Sequence, residues 1–252
     1  MNRALDVTSS VLASTVRRWR GTVASRKVKL PEQRPVLFGR EGDAECRLVR
    51  EALTELNLDV DVFPVPEGGD RFLARLKELS GSETIPFLHD PNTGGKHVGA
   101  DAIITYLFRR YAQQEAPTAL KPTVVNKLAS KLASEIRFEG GRQAVPSKQP
   151  EKNLTLYSFE SSPYSRLVRE KLCELQIPYT LINLGKQQRS DMGPAKARFT
   201  LKPYQPLPNT KRDDFFKQHG DVQVPYIDDP NTGKGMFESK DIVEYLMNEY
   251  AL

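Results

Sequence analysis

The chain has only two cysteines, Cys46 and Cys173, and no Cys-x-x-Cys pair. That excludes a dithiol redox centre and a disulfide framework, and it fits a reducing compartment. The three histidines, His89, His97 and His219, stand at no metal-ligand spacing with cysteine or carboxylate, so no metal is expected. No apolar run approaches the length of a bilayer span, and the start has no signal-type apolar core, so no membrane partner is expected. Basic excess is confined to one end. The net charge is +5, yet residues 1–30 alone hold five Arg and two Lys against one Asp. The rest is close to neutral and has no basic stripe with interleaved aromatics, which argues against nucleic acid. The basic N-terminal stretch reads as a solvated helix face.

What remains is an ordinary globular composition, 252 residues with 38% hydrophobic and 27% charged, enough for one large or two small units. An internal repeat decides for two. Leu48-Val49-Arg50-Glu51 recurs as Leu167-Val168-Arg169-Glu170 at offset 119, and Asp90-Pro91-Asn92-Thr93-Gly94 recurs as Asp229-Pro230-Asn231-Thr232-Gly233 at offset 139. The second copy therefore carries about twenty extra residues, placed in a Lys-, Pro- and Gln-rich loop at 185–209. The match extends upstream: Trp19 pairs with Phe138, Gly21 with Gly140, and Pro31-Glu32 with Pro150-Glu151. The basic N-terminal helix then has a counterpart in mid-chain. Both show apolar residues at helical spacing, Val11, Leu12, Val16 and Trp19 against Val125, Leu128, Leu132 and Ile136. A targeting peptide has no reason to recur, so a structural helix in a cytoplasmic protein is expected. An organelle transit peptide is the alternative.

Each copy reads as βαβαββα. Strands are expected at 35–39 and 154–159, then at 59–65 and 179–184, with two short strands flanking each Asp-Pro-Asn-Thr-Gly turn. Helices are expected at 45–56 and 164–175, 71–79 and 213–219, and 101–111 and 239–250. The organisation predicted is a helix and arm at 1–34, one unit at 35–113, a linker with a helix at 114–153, and a second unit at 154–252.

This order, with Ile85-Pro86 and Val224-Pro225 just before each hairpin, resembles the thioredoxin superfamily, and more narrowly the glutaredoxins and the N-terminal domain of glutathione S-transferases. The resemblance implies an α/β fold of two tandem thioredoxin-like domains, each preceded by an amphipathic helix, with Pro86 and Pro225 cis. It covers roughly 75 residues of the first copy and 95 of the second. Where glutaredoxins carry Cys-Pro-Tyr-Cys, the second copy has Ser162-Pro163-Tyr164-Ser165. Tau-type plant transferases are similar in placing a serine before Pro-Phe or Pro-Tyr. By that likeness Ser162, or Ser161 as the alternative, would hydrogen-bond the glutathione sulfur and favour the thiolate. The plainer reading is a helix cap with Pro163 at the first position. Glu238-Ser239 matches the acid-serine pair that holds the γ-glutamyl end, and Val224-Pro225 the loop that meets the peptide backbone.

The first copy has Asp43-Ala44-Glu45-Cys46 and Gly99-Ala100 at these places and reads as degenerate. Its Cys46 is either a low-pKa thiol at a helix start or a packed small residue; Cys173 is expected in the core. The resemblance implies glutathione as co-substrate or ligand, with an unknown electrophile and unknown oligomeric state. No all-helical second domain of the transferase kind is expected, so the first copy, the 185–209 insertion or the linker helix would have to build the electrophile's pocket. A non-catalytic thioredoxin-fold binding module is the alternative function. Thiol–disulfide exchange is disfavoured.

Overall fold

The computed structural model describes residues 3–25, 28–138 and 140–252. After an N-terminal helix α1 (Arg3–Val16), the first copy runs β1 (Val36–Gly39), α2 (Ala44–Glu55), β2 (Val60–Pro64), α3 (Leu73–Ser80), β3 (Phe87–Asp90), β4 (Gly95–Val98) and α4 (Ala100–Leu107). The linker forms α5 (Val124–Glu135). The second copy repeats the order as β5 (Leu154–Ser158), α6 (Pro163–Glu174), β6 (Tyr179–Asn183), α7 (Lys211–His219), β7 (Tyr226–Asp229), β8 (Lys234–Phe237) and α8 (Ser239–Tyr250). This is the tandem thioredoxin-like α/β fold, and both X-Pro bonds at Pro86 and Pro225 are cis. Observed bounds differ from the expected ones by one or two residues. The exception is the helix expected at 101–111, which stays α-helical only to Leu107 and continues as a wide turn over Phe108–Ala112.

Local chemistry sets the helix ends. Asp43, Thr123, Ser162 and Thr210 each accept a hydrogen bond from a backbone N–H in the first turn of their helix. Gly81 and Gly220 stop α3 and α7 in the left-handed conformation. The repeated Asp-Pro-Asn-Thr-Gly segment is more than a turn. Asp90 accepts from the hydroxyls of Tyr106 and Tyr111, and Asp229 from those of Tyr245 and Tyr250, so each aspartate ties its hairpin to the copy's last helix. Burial alone would raise both carboxyls; the tyrosine and asparagine donors hold them below their ordinary range.

The two copies share one eight-stranded sheet in the order β4-β3-β1-β2-β6-β5-β7-β8. Its centre is the antiparallel β2–β6 junction, where Val60, Asp61 and Val62 face Leu181, Thr180 and Tyr179. Side chains alternate across the sheet. Leu37, Val62, Leu88, Leu156, Leu181 and Ile227 join one apolar cluster that crosses the junction beneath α2, α4, α6 and α8. Phe38, Phe63 and Phe87 face the other way under α3, and Leu184 faces Phe215 of α7.

The two lead helices are exchanged. α1 precedes the first copy but packs on α6 of the second, and α5 precedes the second copy but packs on α2 of the first. The arms that follow cross likewise. Ser161 N–H donates to Gly21 C=O at 3.0 Å, and Gly42 N–H to Gly141 C=O at 3.4 Å. These contacts correct the arm register: the counterpart of Gly21 is Gly141, not Gly140. Both have φ 74°, and a β-carbon would lie 2.6 Å from Cβ of Glu160 at Gly21 and 2.7 Å from Cβ of Glu41 at Gly141.

The apolar stripes of α1 and α5 do not form their packing faces. Leu12, Val125, Leu128 and Leu132 are exposed, while the buried residues are Ser9, Ser10, Ala13 and Ser14 in α1 and Asn126, Ser130 and Ala133 in α5. Trp19 lies beyond the helix at φ 55° and is also exposed. Small hydroxylated residues allow close approach and satisfy polar groups below. Ser10 and Ser14 donate to the carbonyls of Pro163 and Ser161, both at 2.8 Å, and Ser130 to that of Ala44 at 2.8 Å.

The basic stretch is not wholly solvated either. Arg17 is buried and grips Glu51 with two bonds of 2.8 and 2.7 Å, and Arg137 grips Glu170 in the same way. They border a buried layer that holds Glu41, Arg47, Arg50, Glu160, Arg166 and Arg169. The recurring Leu-Val-Arg-Glu sequence therefore supplies the arginine and glutamate of a charged interface between the copies.

Candidate functional site

Seven of the eight residues singled out from the sequence line one cavity of about 1020 Å³: Ser162, Pro163, Tyr164, Val224, Pro225, Glu238 and Ser239. Five of them come from the starts of α6 and α8, and the cis-proline pair borders them. Ser161 is not among them. It is buried, its hydroxyl is paired with that of Thr22, and its carbonyl is taken by Ser14. The alternative serine is thereby spent on holding the arm.

Ser162 does cap α6, since its Oγ accepts from Ser165 N–H at 3.3 Å. Capping uses the oxygen as acceptor only. The hydroxyl hydrogen remains to be donated, so capping and hydrogen bonding to a sulfur anion are compatible. Ser239 Oγ is buried and has no hydrogen-bond partner among the described residues; it stands at the first residue of α8, where backbone N–H groups carry positive potential. Glu238 precedes it at φ 66° and ψ 114°, a conformation that non-glycine residues rarely adopt, with Oε1 accepting from Gln223 Nε2 at 2.8 Å.

The opposite wall agrees in part with the expectation. The 185–209 insertion contributes Met192, Gly193 and Phe199 from around two short 3₁₀ turns, Arg189–Asp191 and Ala195–Ala197. Further contributors include Val11 of α1 and Trp19 and Val23 of the arm, and none comes from the linker helix. Helix exchange places them there, and nothing local in the sequence signals it. Lys186, at the root of the insertion, escapes sequence reasoning for the same cause. Its backbone is pinned between Thr22 and Ala24, and its side chain is buried.

In the first copy the equivalent helix start is occupied. The position of Ser239 is Ala100, and its N–H donates to Glu45 Oε2 at 3.4 Å. Glu45 is also held by Lys127 of α5 at 2.6 Å. The chain's own carboxylate thus sits at the helix start that is open in the second copy. Cys46 is fully buried; burial and then Asp43 push its thiol well above the ordinary range, which removes the reactive-thiol option. Burial pushes Cys173 up to about 12, consistent with its place in the core.

The fold defines a thioredoxin-like protein whose second copy bears Ser162 and Ser165 where a dithiol would stand. The profile described as Glutathione S-transferase, N-terminal domain matches residues 37–115 and 156–252, and the chain belongs to that family, represented twice. Searches of curated proteins and of solved structures each returned no match. Among the described residues no helix is long and apolar enough to cross a membrane.

Proposed function

We propose that the second copy binds glutathione and activates its thiol through Ser162, while the first copy serves as scaffold. The observation that carries this is the buried Ser239 hydroxyl at the α8 start, which has no partner among the described residues and lines one cavity with Ser162 and Glu238. The first copy supports it from within the same chain, because a carboxylate, Glu45, occupies the equivalent helix start. In this reading the γ-glutamyl carboxylate takes the Ser239 N–H and hydroxyl, Glu238 faces the amino group, and Val224-Pro225 meets the cysteinyl backbone. The Ser162 O–H donates to the sulfur and lowers its pKa. The thiolate then attacks an electrophilic carbon. A C–S bond forms, the leaving group departs with its electron pair, and the thiol proton goes to solvent. The cavity has the volume for a second molecule beside glutathione.

Calorimetry with reduced glutathione on the wild type and on Glu238→Ala tests the binding step. Saturable heat is expected, weakened at least tenfold in the variant. No heat at millimolar glutathione would reject the reading and leave a non-catalytic module. Conjugation of an aryl halide then tests Ser162. Ser162→Ala is expected to lower the rate roughly a hundredfold, and an unchanged rate removes that serine from the mechanism.

A further inference from the structure

Lys186 has no role in the site above, yet it is the most unusual charge in the cavity. Its side chain is nine-tenths buried, at 9% exposure. Among the described residues the ammonium donates to a single acceptor, the Gly193 carbonyl at 2.6 Å, and it lies 5.5 Å from the centre of the Phe159 ring. Among the described residues no carboxylate forms an ion pair with it. The charged groups that face it are Arg212 of α7, and Arg198 and Asp191 of the insertion. Asp191 is already consumed, accepting from Gln187, Gln188 and Tyr204 and facing Arg212 at 3.4 Å. Two guanidiniums and one spent carboxylate leave the surroundings of Lys186 short of negative charge. Burial, with Arg212 next, brings its pKa down to about 8.

The first copy provides a control. Its residue at the equivalent position is Glu67, which is saturated by Arg40 at 2.6 Å, Arg142 at 3.0 Å and Gln143 at 2.9 Å. There the position closes on itself; in the second copy it opens on the cavity. A cation buried this deeply is costly unless an anion meets it. The cavity's charged lining also includes Arg3, Arg18 and Lys196, all exposed, and its apolar lining includes Val11, Trp19, Val23, Met192 and Phe199.

We propose that this end of the cavity is a subsite for an apolar acid, a molecule with an apolar body and one anionic oxygen group, anchored by the Lys186 ammonium. This names the class of the second ligand in the glutathione reading and rests on that reading only in calling the ligand second.

The test uses two fluorescent probes, 8-anilino-1-naphthalenesulfonate and N-phenyl-1-naphthylamine, which share a ring system and differ by the sulfonate. The sulfonate probe is expected to bind at one site at least tenfold tighter than the neutral one. That preference should vanish in Lys186→Met, persist in Lys186→Arg, and fade in the wild type as pH rises through 8 and the ammonium is lost. Equal affinities for the two probes, or an unchanged preference in Lys186→Met, would overturn the proposal. Where the methionine variant does not fold, the wild-type pH profile decides: a preference that stays constant through pH 8 and above overturns the proposal. Saturating glutathione is expected to leave sulfonate binding intact. If instead glutathione displaces the probe and Lys186→Met weakens glutathione itself, the lysine belongs to glutathione and the proposal fails. Absence of glutathione binding with a retained sulfonate preference would reject only the glutathione reading.

Discussion

Glu238 holds φ 66° where the equivalent residue of the first copy is Gly99 at φ 83°. A side chain in that region costs about 1–3 kcal/mol, and glycine relieves it at an entropic cost of about 0.5–1 kcal/mol. Glu238→Gly is therefore expected to stabilise the protein by about 1 kcal/mol in chemical denaturation while reducing glutathione heat in calorimetry. A variant that loses both stability and binding would show that Glu238 is structural. Glu160 gives a second residue-scale expectation. Burial would raise its carboxyl, but Arg169, Arg50, Arg47 and Arg166 bring it down to about 2. A depressed carboxyl contributes stability that is fully present above the unfolded value of about 4.5 and is lost as pH falls toward 2. The loss should amount to a few kcal/mol between those limits. Glu160→Gln should flatten this part of the pH profile and lower stability at pH 7. An acid limb of the same depth in the variant would assign the effect to other carboxylates.

At the scale of elements, the lead helices turn their apolar stripes outward. Leu128→Gln and Leu132→Gln are expected to change stability by no more than about 0.5 kcal/mol each. Ser130→Leu should cost about 1–3 kcal/mol, because the site is closed and its hydroxyl satisfies the Ala44 carbonyl. Periodicity alone predicts the reverse order, so urea titration of these three variants separates the two pictures. This inversion marks the limit of what sequence makes legible. The βαβαββα order is readable, because each strand and helix writes its own burial pattern locally. The candidate serine and the Glu238-Ser239 pair are readable through resemblance. The buried faces of α1 and α5 are not, since Ser10, Ser14 and Ser130 suit close approach and distant carbonyls. The burial of the arginines of α2 and α6 is not readable either, because each cluster is completed by an acid of the other copy, as Arg50 is by Glu160, 110 residues away. Lys186 falls in a stretch whose composition reads as a plain loop.

For the whole molecule, exchange of the arms makes each copy part of the other's structure. The segment that precedes the first copy covers α6 and walls the cavity of the second, and the linker likewise covers α2. The β2–β6 junction is closed further by Asn183, which donates to the Leu58 carbonyl at 2.6 Å and to Asp59 at 2.9 Å, and by Thr180 donating to Asp61 at 2.7 Å. Cutting the chain between the proposed units, after residue 113, would strand each lead helix with the wrong partner. It would also open β2 and β6 as bare edges, divide the shared apolar cluster and leave Glu41, Glu160, Arg50 and Arg169 without their cross-copy pairs. Fragments 1–113 and 114–252 are therefore expected to be unfolded or aggregated alone and to regain structure when mixed. In the intact chain, far-ultraviolet circular dichroism and the fluorescence of Trp19, which sits on the exchanged arm, should report one coincident transition. Independent cooperative melting of either fragment, at a temperature near that of the full chain, would mean that the exchanged arms and the central strand pair are dispensable to the fold.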